Sequence, residues 1–244
     1  MSAVYETDKL LGEYLLFHYG SAEETLPPPL TWPAGMCEAL DFAIRTPRRF
    51  GQDEVARGLD IGCAVGRSAW EMARHCDEVI GIDFSHAFIK AAETIRSKGE
   101  LAYVRVEEAA RCTPLIARRP ADIDPSRIVF QQGDAMDLSD SLGRFDRVHA
   151  ANLICRLPEP QRFLQRLPSL LKPGGELVLA TPCTWLEEFT APQWWPQGET
   201  LDWLKDSLSG DFELVSTCDE PFLIRETARK FQWTRSLVSV WRRH

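Results

Sequence analysis

A glycine-containing turn between two apolar segments restricts most strongly what this chain can fold into. Leu59–Ser85 reads LDIGCAVGRSAWEMARHCDEVIGIDFS. A predicted strand ends at Asp60, the chain turns through Gly62 and Gly66, a helix follows, and a second strand ends at Asp83. Glycines allow a tight turn and a close approach to a ligand, and an acidic residue ending the second strand is typical of a site for ribose hydroxyls. The pattern predicts a nucleoside-binding β-α-β unit.

The glycine spacing distinguishes between nucleosides. A dinucleotide site has a central glycine, G-x-G-x-x-G, so that a pyrophosphate can lie on the helix N-terminus. Here Ala64 holds the middle position, and the pattern is Asp60-x-Gly62-x-x-x-Gly66. It resembles the first motif of the class I methyltransferases that use S-adenosylmethionine, a cofactor without phosphate. Alone, the glycine pair is weak support for that family.

Three later segments occur in the order that this family shows. They are Val129–Met136 with its Gly-Asp-Ala, Phe145–Asn152, and the glycine turn and strand of Leu171–Ala180. Each alone also fits an ordinary buried strand with a turn. Four segments in register over about 120 residues indicate the family, because open α/β sheets bind ligands where such strands end.

The resemblance implies a Rossmann-like sheet of seven strands, mostly parallel with an antiparallel end. Phe212–Val215 and Ser236–Trp241 fit the closing strands, and 101–107 alternates like a strand inside an insertion at 99–127. We expect a single domain over 1–244. It divides into an N-terminal helical cap (1–50), a cofactor-binding core (51–182), and a segment that forms the acceptor pocket and the closing strands (183–244). The cap contains a helix near 10–18, followed by a rigid extended linker at Thr25–Trp32.

The resemblance also implies a cofactor site. Asp83 is expected to bind the ribose, Asp134 the adenine amine, and the backbone N–H of Ala135 a ring nitrogen. Asp60 more often stabilises the turn in such proteins than it touches the ligand. The residues assigned to the cofactor are Tyr14, Tyr19, Gly62, Cys63, Ala64, Gly66, Arg67, Asp83, Phe84, Asp134, Ala135, Met136, Asn152 and Leu153.

Composition excludes several classes of function. The 244 residues are 44% apolar with a formal net charge of −8 and no lysine- or arginine-rich block, which argues against nucleic acid as a partner. No segment approaches the roughly 20 apolar residues of a membrane helix, and the N-terminus lacks the apolar core of a signal peptide. Seven scattered cysteines and five unpaired histidines predict a reducing, cytoplasmic location and no metal site. Monomer and homodimer both remain open.

Four segments outside the shared motifs resemble one narrower group. They are Tyr5–Gly20, Ala151–Pro158, Thr184–Thr190 (TWLEEFT) and Ile224–Trp233. The group is the 5-thiohistidine N-methyltransferases of ovothiol biosynthesis, often found as the C-terminal domain of the sulfoxide synthase OvoA. The resemblance implies methyl transfer from S-adenosylmethionine to an imidazole nitrogen of 5-thiohistidine, giving ovothiol A and S-adenosylhomocysteine.

Two features depart from that group. No synthase domain accompanies this chain, which therefore resembles a stand-alone form. Cys183 stands where an aromatic residue is expected before Thr-Trp, so the detail of the acceptor pocket differs.

A zwitterionic acceptor needs a cation for its carboxylate and an anion for its ammonium. The substrate-binding candidates are Arg156, Thr184, Trp185, Glu187, Arg225, Lys230 and Trp233, with Glu188 as a second anion. His18 is a candidate base, since an unperturbed histidine has a pKa near 6.5. Other interpretations compete: the tryptophans also fit core anchors, Arg225, Arg229 and Lys230 a solvated strand face, and His18 a satisfied polar group.

Three rival functions remain. One is a methyltransferase for another small acceptor, such as a phenol or carboxylate, which fits the cofactor segments equally well. Another is a non-catalytic S-adenosylmethionine-binding protein. A nicotinamide dehydrogenase is disfavoured by Ala64 and the Gly-Asp-Ala segment.

Overall fold

The computed structural model describes residues 3–28 and 31–244. Its strands form a seven-stranded sheet and a separate two-stranded hairpin. The strands are β1 Val55–Ile61, β2 Cys76–Asp83, β3 Glu100–Glu108, β4 Arg111–Arg118, β5 Ile128–Gln132, β6 Phe145–Ala151, β7 Leu171–Thr181, β8 Phe212–Arg225 and β9 Phe231–Arg243. The helices are α1 Asp8–Tyr19, α2 Ala22–Thr25, α3 Phe42–Arg45, α4 Arg67–Met72, α5 His86–Lys98, α6 Pro160–Leu170 and α7 Thr200–Leu208. Short 3₁₀ turns occupy Ala3–Glu6, Cys37–Ala39, Pro47–Arg49, Pro125–Arg127, Asp140–Leu142, Ile154–Arg156 and Pro192–Trp194.

The strand order of the large sheet is β5-β2-β1-β6-β7-β9-β8. The pairings among β5, β2, β1, β6 and β7 are parallel, and β9 lies antiparallel between β7 and β8. This arrangement confirms the predicted Rossmann-like methyltransferase sheet. The parallel strands β1, β2, β5 and β6 end at the same edge of the sheet, and this edge carries the predicted cofactor residues.

The cap helix α1 begins at a capped N-terminus and crosses the hairpin. The Thr7 side chain accepts a hydrogen bond from the backbone N–H of Leu10. Gly12 packs so closely on β3 that a Cβ there would lie 2.8 Å from the carbonyl oxygen of Val104. The buried side chains Leu15 and Leu16 join the core beneath α1. The hairpin therefore supports the cap from outside the main sheet.

The insertion and the linker differ in part from expectation. The strand predicted at 101–107 is β3, whereas its antiparallel partner β4 was not predicted, because Pro114 and several polar residues interrupt its pattern. The short helix α2 ends at Thr25, so the predicted linker begins one residue later than expected. Pro29 and Leu30 of that linker lie outside the described residues.

Candidate active site

The turn after β1 is fastened to the end of β2 by backbone hydrogen bonds. The N–H groups of Gly62 and Cys63 donate to the carbonyl of Ile82 at 2.8 and 3.1 Å. Gly62 has a φ of 74°, in the left-handed region that favours glycine, and Ala64 adopts a φ of 47° without that freedom. The backbone of this turn is thereby fixed in a shape suited to close approach of a ligand.

Asp83, at the end of β2, holds the same turn through its carboxylate. Its Oδ2 accepts the N–H of Ala64 at 2.9 Å, and its Oδ1 accepts the N–H of Ser85 at 2.9 Å. Burial raises the pKa of Asp83 to about 6, against the lowering effect of these two N–H groups. A buried carboxylate at this edge of the sheet suits ribose hydroxyls, as the sequence predicts for Asp83.

One cavity of about 500 Å³ opens at this edge of the sheet. Its walls come from the strand ends, from α1 and α3, and from β8 and β9, so it extends from the glycine turn to the closing strands. The residues predicted for cofactor or acceptor that lie in this wall are Tyr14, His18, Gly62, Cys63, Ala64, Asp83, Phe84, Ala135, Asn152, Leu153, Arg156, Thr184 and Glu188. The fold thus brings members of both predicted sets together at one cavity, which is large enough for more than one small ligand.

Asn152 follows β6 at the centre of this wall. It adopts a left-handed φ of 55°, which is uncommon for a residue other than glycine. Its Oδ1 accepts a hydrogen bond from the hydroxyl of Ser236 at 2.6 Å, which fixes the side-chain amide between β6 and β9. Strained backbone of this kind concentrates at functional sites.

Five residues assigned to the cofactor lie outside this wall. The hydroxyl of Tyr19 donates to the carbonyl of Val65, and Arg67 pairs with Glu71; both face a smaller neighbouring depression. Gly66 packs on the ring of Phe130, which leaves no room for a Cβ. Asp134 accepts the N–H of Met136 at 2.8 Å, and Met136 packs on the core. Tyr19, Gly66, Arg67, Asp134 and Met136 thus hold positions around the cavity, and their direct contact with the cofactor stays a prediction.

Two of the predicted substrate cations also lie outside the wall. Arg225 is 3% exposed, and its guanidinium binds the carboxylate of Glu107 at 2.6 Å and the carbonyl of Thr25 at 2.8 Å. Lys230 is largely exposed and pairs with Glu226 at 2.6 Å. The prediction that Arg225 and Lys230 bind the acceptor carboxylate is corrected, because the hairpin and the β8–β9 turn already use both charges.

The two candidate tryptophans have structural positions. Trp185 packs edge-on against Trp203, with ring centroids 5.7 Å apart, and donates its indole N–H to the hydroxyl of Thr200. Trp233 is half-exposed and donates to the carbonyl of Gly35. Trp185 and Trp233 are not among the residues that line the cavity, and their contact with the substrate stays a prediction.

The loop after β7 supplies fewer contacts than its sequence suggests. Glu187 is exposed and does not line the cavity, and its contact with the acceptor ammonium stays a prediction, whereas Glu188 lies in the wall. Cys183 is exposed, with a left-handed φ of 53°, and also lies outside the wall. The unexpected cysteine is thus a turn residue, flanked by two wall residues, Pro182 and Thr184.

Of the three cations predicted to bind the acceptor, Arg156 lies in the cavity wall. Its Nη1 donates to the carbonyl of Thr184 at 2.8 Å, and its guanidinium lies 5.0 Å from the ring centroid of Phe189. Among the described residues no carboxylate lies within 4.0 Å of this guanidinium. The wall therefore presents a held but unneutralised positive charge.

His18 lies in the wall, but with different chemistry from the expected base. Burial, with a smaller contribution from the Arg67 guanidinium, lowers the pKa of its imidazole to about 3. The ring stacks on Tyr14 at 6.0 Å and meets Phe17 edge-on at 5.2 Å. The premise of an unperturbed histidine base is therefore wrong: His18 is neutral at physiological pH and offers hydrogen bonds rather than proton uptake.

Sequence reasoning missed an aromatic cluster and a carboxylate in the wall. The ring centroids of Phe17, Phe42 and Phe222 lie 5.1–6.1 Å apart in all three pairs. Glu13, one helical turn before Phe17, is only 9% exposed. An acidic residue on the buried side of an amphipathic helix was the available signal for Glu13, whereas Phe42 and Phe222 share no sequence pattern.

A buried polar chain lies behind the glycine turn. His149 on β6 contacts the Asp60 carboxylate through Nδ1 at 2.8 Å and the Thr46 hydroxyl through Nε2 at 3.0 Å. All three residues are at most 1% exposed, and Oδ2 of Asp60 has no hydrogen-bond partner among the described residues. Asp60 and His149 border the cavity, so this chain supports the floor of the site.

A family model identifies the chain once this geometry is known. The sheet, the glycine turn and the acidic strand end define a class I S-adenosylmethionine-dependent methyltransferase. Residues 36–215 match the family described as "Methyltransferase domain", and the chain belongs to that family. S-adenosylmethionine is accordingly its cofactor. Within the described residues, no cluster of His, Cys, Asp or Glu is arranged to hold a metal ion. No helix among them is long and apolar enough to span a bilayer.

Characterised relatives are similar over part of the chain. A ubiquinone biosynthesis O-methyltransferase of Coxiella burnetii (strain RSA 493 / Nine Mile phase I) is 27% identical over 50% of this chain and 42% of its own length. Another, from Alkalilimnicola ehrlichii, is 30% identical over 61% of this chain and 53% of its own length. A tRNA U34 carboxymethyltransferase of Idiomarina loihiensis is 30% identical over 50% of this chain and 32% of its own length. The chain spans about half or less of the length of these relatives.

Solved structures share the fold. The [4+2]-cyclase SpnF aligns over 98% of this chain and 94% of its own, with a TM-score of 0.59 and 16% identity. The N-methyltransferase NodS from Bradyrhizobium japonicum WM9, in complex with S-adenosylhomocysteine, aligns over 78% of this chain and 79% of its own, with a TM-score of 0.51 and 19% identity. These likenesses concern architecture, because one fold supports many reactions.

Proposed function

We propose that this methyltransferase transfers a methyl group to an imidazole nitrogen of 5-thiohistidine. One observation carries the proposal: the cavity that contains Asp83 and the glycine turn continues into an aromatic half whose wall holds an unneutralised arginine, Arg156. A ring bearing a carboxylate and an ammonium matches such a wall. The resemblance of the four outer segments to the 5-thiohistidine N-methyltransferases supports the same acceptor.

The residues present fit the cofactor. Asp83 and the fixed turn at Gly62 and Ala64 suit the ribose and the methionine part, and Ala135 borders the space for the base. S-adenosylmethionine, when bound, supplies an activated methyl group on a sulfonium. The phenylalanine rings in the wall can stabilise nearby positive charge by about 0.5–2 kcal/mol.

Positioning accounts for most of the rate in this proposal. A thioimidazole nitrogen is already a competent nucleophile, and near-attack geometry can supply roughly 7–11 kcal/mol. Arg156 binds the acceptor carboxylate, while the cluster of Phe17, Phe42 and Phe222 confines the ring. His18 remains neutral and hydrogen-bonds the acceptor without ionising. The ring nitrogen would form the new C–N bond as the methyl–sulfur bond breaks, with the electron pair of that bond remaining on the sulfur of S-adenosylhomocysteine. Any ring proton would then pass to solvent.

O-methylation of a phenol or carboxylate is the second candidate, because two of the relatives are O-methyltransferases. A phenol must lose its proton for efficient attack, and His18, which α1 brings to the cavity wall, has a pKa of about 3. A weakly basic histidine suits a nucleophile that needs no activation. The site therefore favours the imidazole acceptor.

A turnover assay with several acceptors tests the proposal. Purified protein with S-adenosylmethionine receives 5-thiohistidine, histidine or a catechol, and products are followed by mass spectrometry. We expect one methyl group on 5-thiohistidine alone. Methylation of the catechol would establish the second candidate instead. A non-catalytic binding protein would retain the cofactor and methylate none of the three, which would contradict the proposal.

A further inference from the structure

Glu13 is a buried carboxylate of the cavity wall whose charge the described residues leave poorly compensated. Its side chain is 9% exposed, and Oε1 accepts no hydrogen bond from the residues that the structure describes. The nearest cation, the Lys9 ammonium, lies 3.8 Å from Oε1, which is beyond hydrogen-bonding distance. Lys9 is itself 63% exposed, so water screens much of its charge.

The other charges that face Glu13 also leave it without a close partner. They come from the β8–β9 turn, where Lys230 and Glu226 pair with each other at 2.6 Å and largely cancel. Burial raises the pKa of the Glu13 carboxyl above its ordinary value, which shows that desolvation outweighs these distant charges. A buried carboxylate oxygen without a hydrogen bond, such as Oε1, costs free energy, and a ligand that donates an N–H group offsets this cost.

The surroundings of Glu13 restrict what such a ligand can be. Phe17 of α1 and Ile224 of β8 supply apolar surface, while Gln232 and Thr234 of β9 supply neutral polar groups to the same wall. Arg156, the cation of this wall, comes from a different element, the turn after β6. An acidic and a basic group on separate elements, with aromatic rings between the strands and α1, suit an acceptor that carries both charges.

We propose that Glu13 binds the ammonium group of the acceptor and selects amine-bearing substrates over analogues that lack the amine. The inference rests on the proposed function and assigns Glu13 as a residue that determines which acceptor is bound. It replaces Glu187, the anion predicted from sequence, which is exposed and lies outside the wall.

Calorimetric titration in the presence of S-adenosylhomocysteine tests the assignment. The ligands are 5-thiohistidine and its analogue without the α-amino group, 3-(5-thioimidazolyl)propanoate. The wild type is expected to bind 5-thiohistidine more tightly than the analogue. In Glu13→Gln, affinity for 5-thiohistidine should fall roughly 10- to 100-fold, the range for a hydrogen bond to a charged group. Affinity for the analogue and for S-adenosylhomocysteine should stay within about 2-fold of wild type, since neither needs that ammonium contact.

Glu187→Gln is the matched control and should bind both ligands like the wild type. Equal losses for both ligands in Glu13→Gln would show a structural role and overturn the inference, as would full retention of the preference for 5-thiohistidine. A selective loss of affinity for 5-thiohistidine in Glu187→Gln would instead show that the loop after β7 binds the ammonium group. If wild type binds S-adenosylhomocysteine but neither ligand, the proposed function itself fails, a result distinct from any behaviour of the variant.

Discussion

At the scale of single residues, three buried polar side chains beneath the glycine turn depend on one another. Nδ1 of His149 hydrogen-bonds Oδ1 of Asp60 at 2.8 Å, and Nε2 hydrogen-bonds the Thr46 hydroxyl at 3.0 Å. The same hydroxyl lies 3.2 Å from the carbonyl oxygen of Phe42. Because all three residues are buried, each relies on the others for its hydrogen bonds.

Replacing His149 is expected to cost stability. His149→Leu leaves the Asp60 carboxyl group buried without its partner, and breaking a buried pair in this way costs about 3–5 kcal/mol. Urea denaturation measures the change. Thr46→Val, which removes only a neutral hydrogen bond, should cost about 1 kcal/mol. Equal stability of His149→Leu and wild type would show that the pair contributes nothing.

Asp83 is expected to control cofactor affinity. Asp83→Ala removes the ribose partner and leaves the N–H groups of Ala64 and Ser85 without acceptors, so S-adenosylhomocysteine should bind roughly 10- to 100-fold more weakly. Calorimetric titration measures this, and unchanged affinity would remove the ribose assignment.

The ionisation of Asp83 gives a pH dependence with a defined sign. The pKa of Asp83 is raised from 3.8 to about 6 in the folded protein. The ligand-free protein therefore loses stability as the pH rises through about 6 and this buried carboxyl group ionises. Ribose hydroxyls favour the ionised carboxylate, and S-adenosylhomocysteine should bind more tightly as the pH rises through the same value. Asp83→Asn should lack this step.

Replacing Arg156 is expected to change the KM of the acceptor without changing that of the cofactor. Because its guanidinium has no carboxylate partner in the described structure, Arg156→Ala removes a charge from the acceptor wall without stranding an opposite one. The KM of the acceptor should rise roughly 10-fold or more, and that of S-adenosylmethionine should change little. Steady-state kinetics with each substrate varied in turn gives both values, and an equal rise in the two would place Arg156 with the cofactor.

At the scale of elements, α1 links the cavity to the hairpin. Leu15 and Leu16 bury one side of this helix, while Glu13, Phe17 and His18 border the cavity from it. Its distance from β3 depends on Gly12. The geometry of the acceptor wall therefore depends on a hairpin that contributes no residue to that wall.

Substituting Gly12 tests this dependence. In Gly12→Ala the new Cβ would lie 2.8 Å from the backbone oxygen of Val104, which must move together with α1. We expect a stability loss of about 1–3 kcal/mol by thermal or urea unfolding and a weaker acceptor affinity. Gly210→Ala, where nothing lies within 4 Å, is the control and should behave like the wild type.

At the scale of the whole molecule, local motifs were predictable and long-range contacts were not. Gly62, Asp83 and Asn152 lie at strand ends, and the order of their segments along the chain predicts the edge where they meet. Arg225 shows the limit: its partner Glu107 lies 118 residues away on the hairpin, whose pairing the sequence does not reveal. The sequence alone therefore predicts that the Arg225 charge is available to bind a ligand, whereas in the folded structure it is buried.

The residues that form the acceptor half of the cavity could not be predicted from the sequence, for the same physical reason. Phe17, Phe42 and Phe222 come from α1, α3 and β8, and only tertiary packing joins them. The family model places the chain among the methyltransferases, while acceptor choice depends on such residues outside the shared core. The acceptor is accordingly what experiment must determine.

The most direct measurement is transfer of a deuterated methyl group from labelled S-adenosylmethionine to 5-thiohistidine, with the product examined by mass spectrometry and NMR. We predict one labelled methyl group, bonded to a ring nitrogen, and no label on sulfur. Labelled methyl on sulfur, or no transfer by protein that still binds S-adenosylhomocysteine, would contradict the proposed reaction.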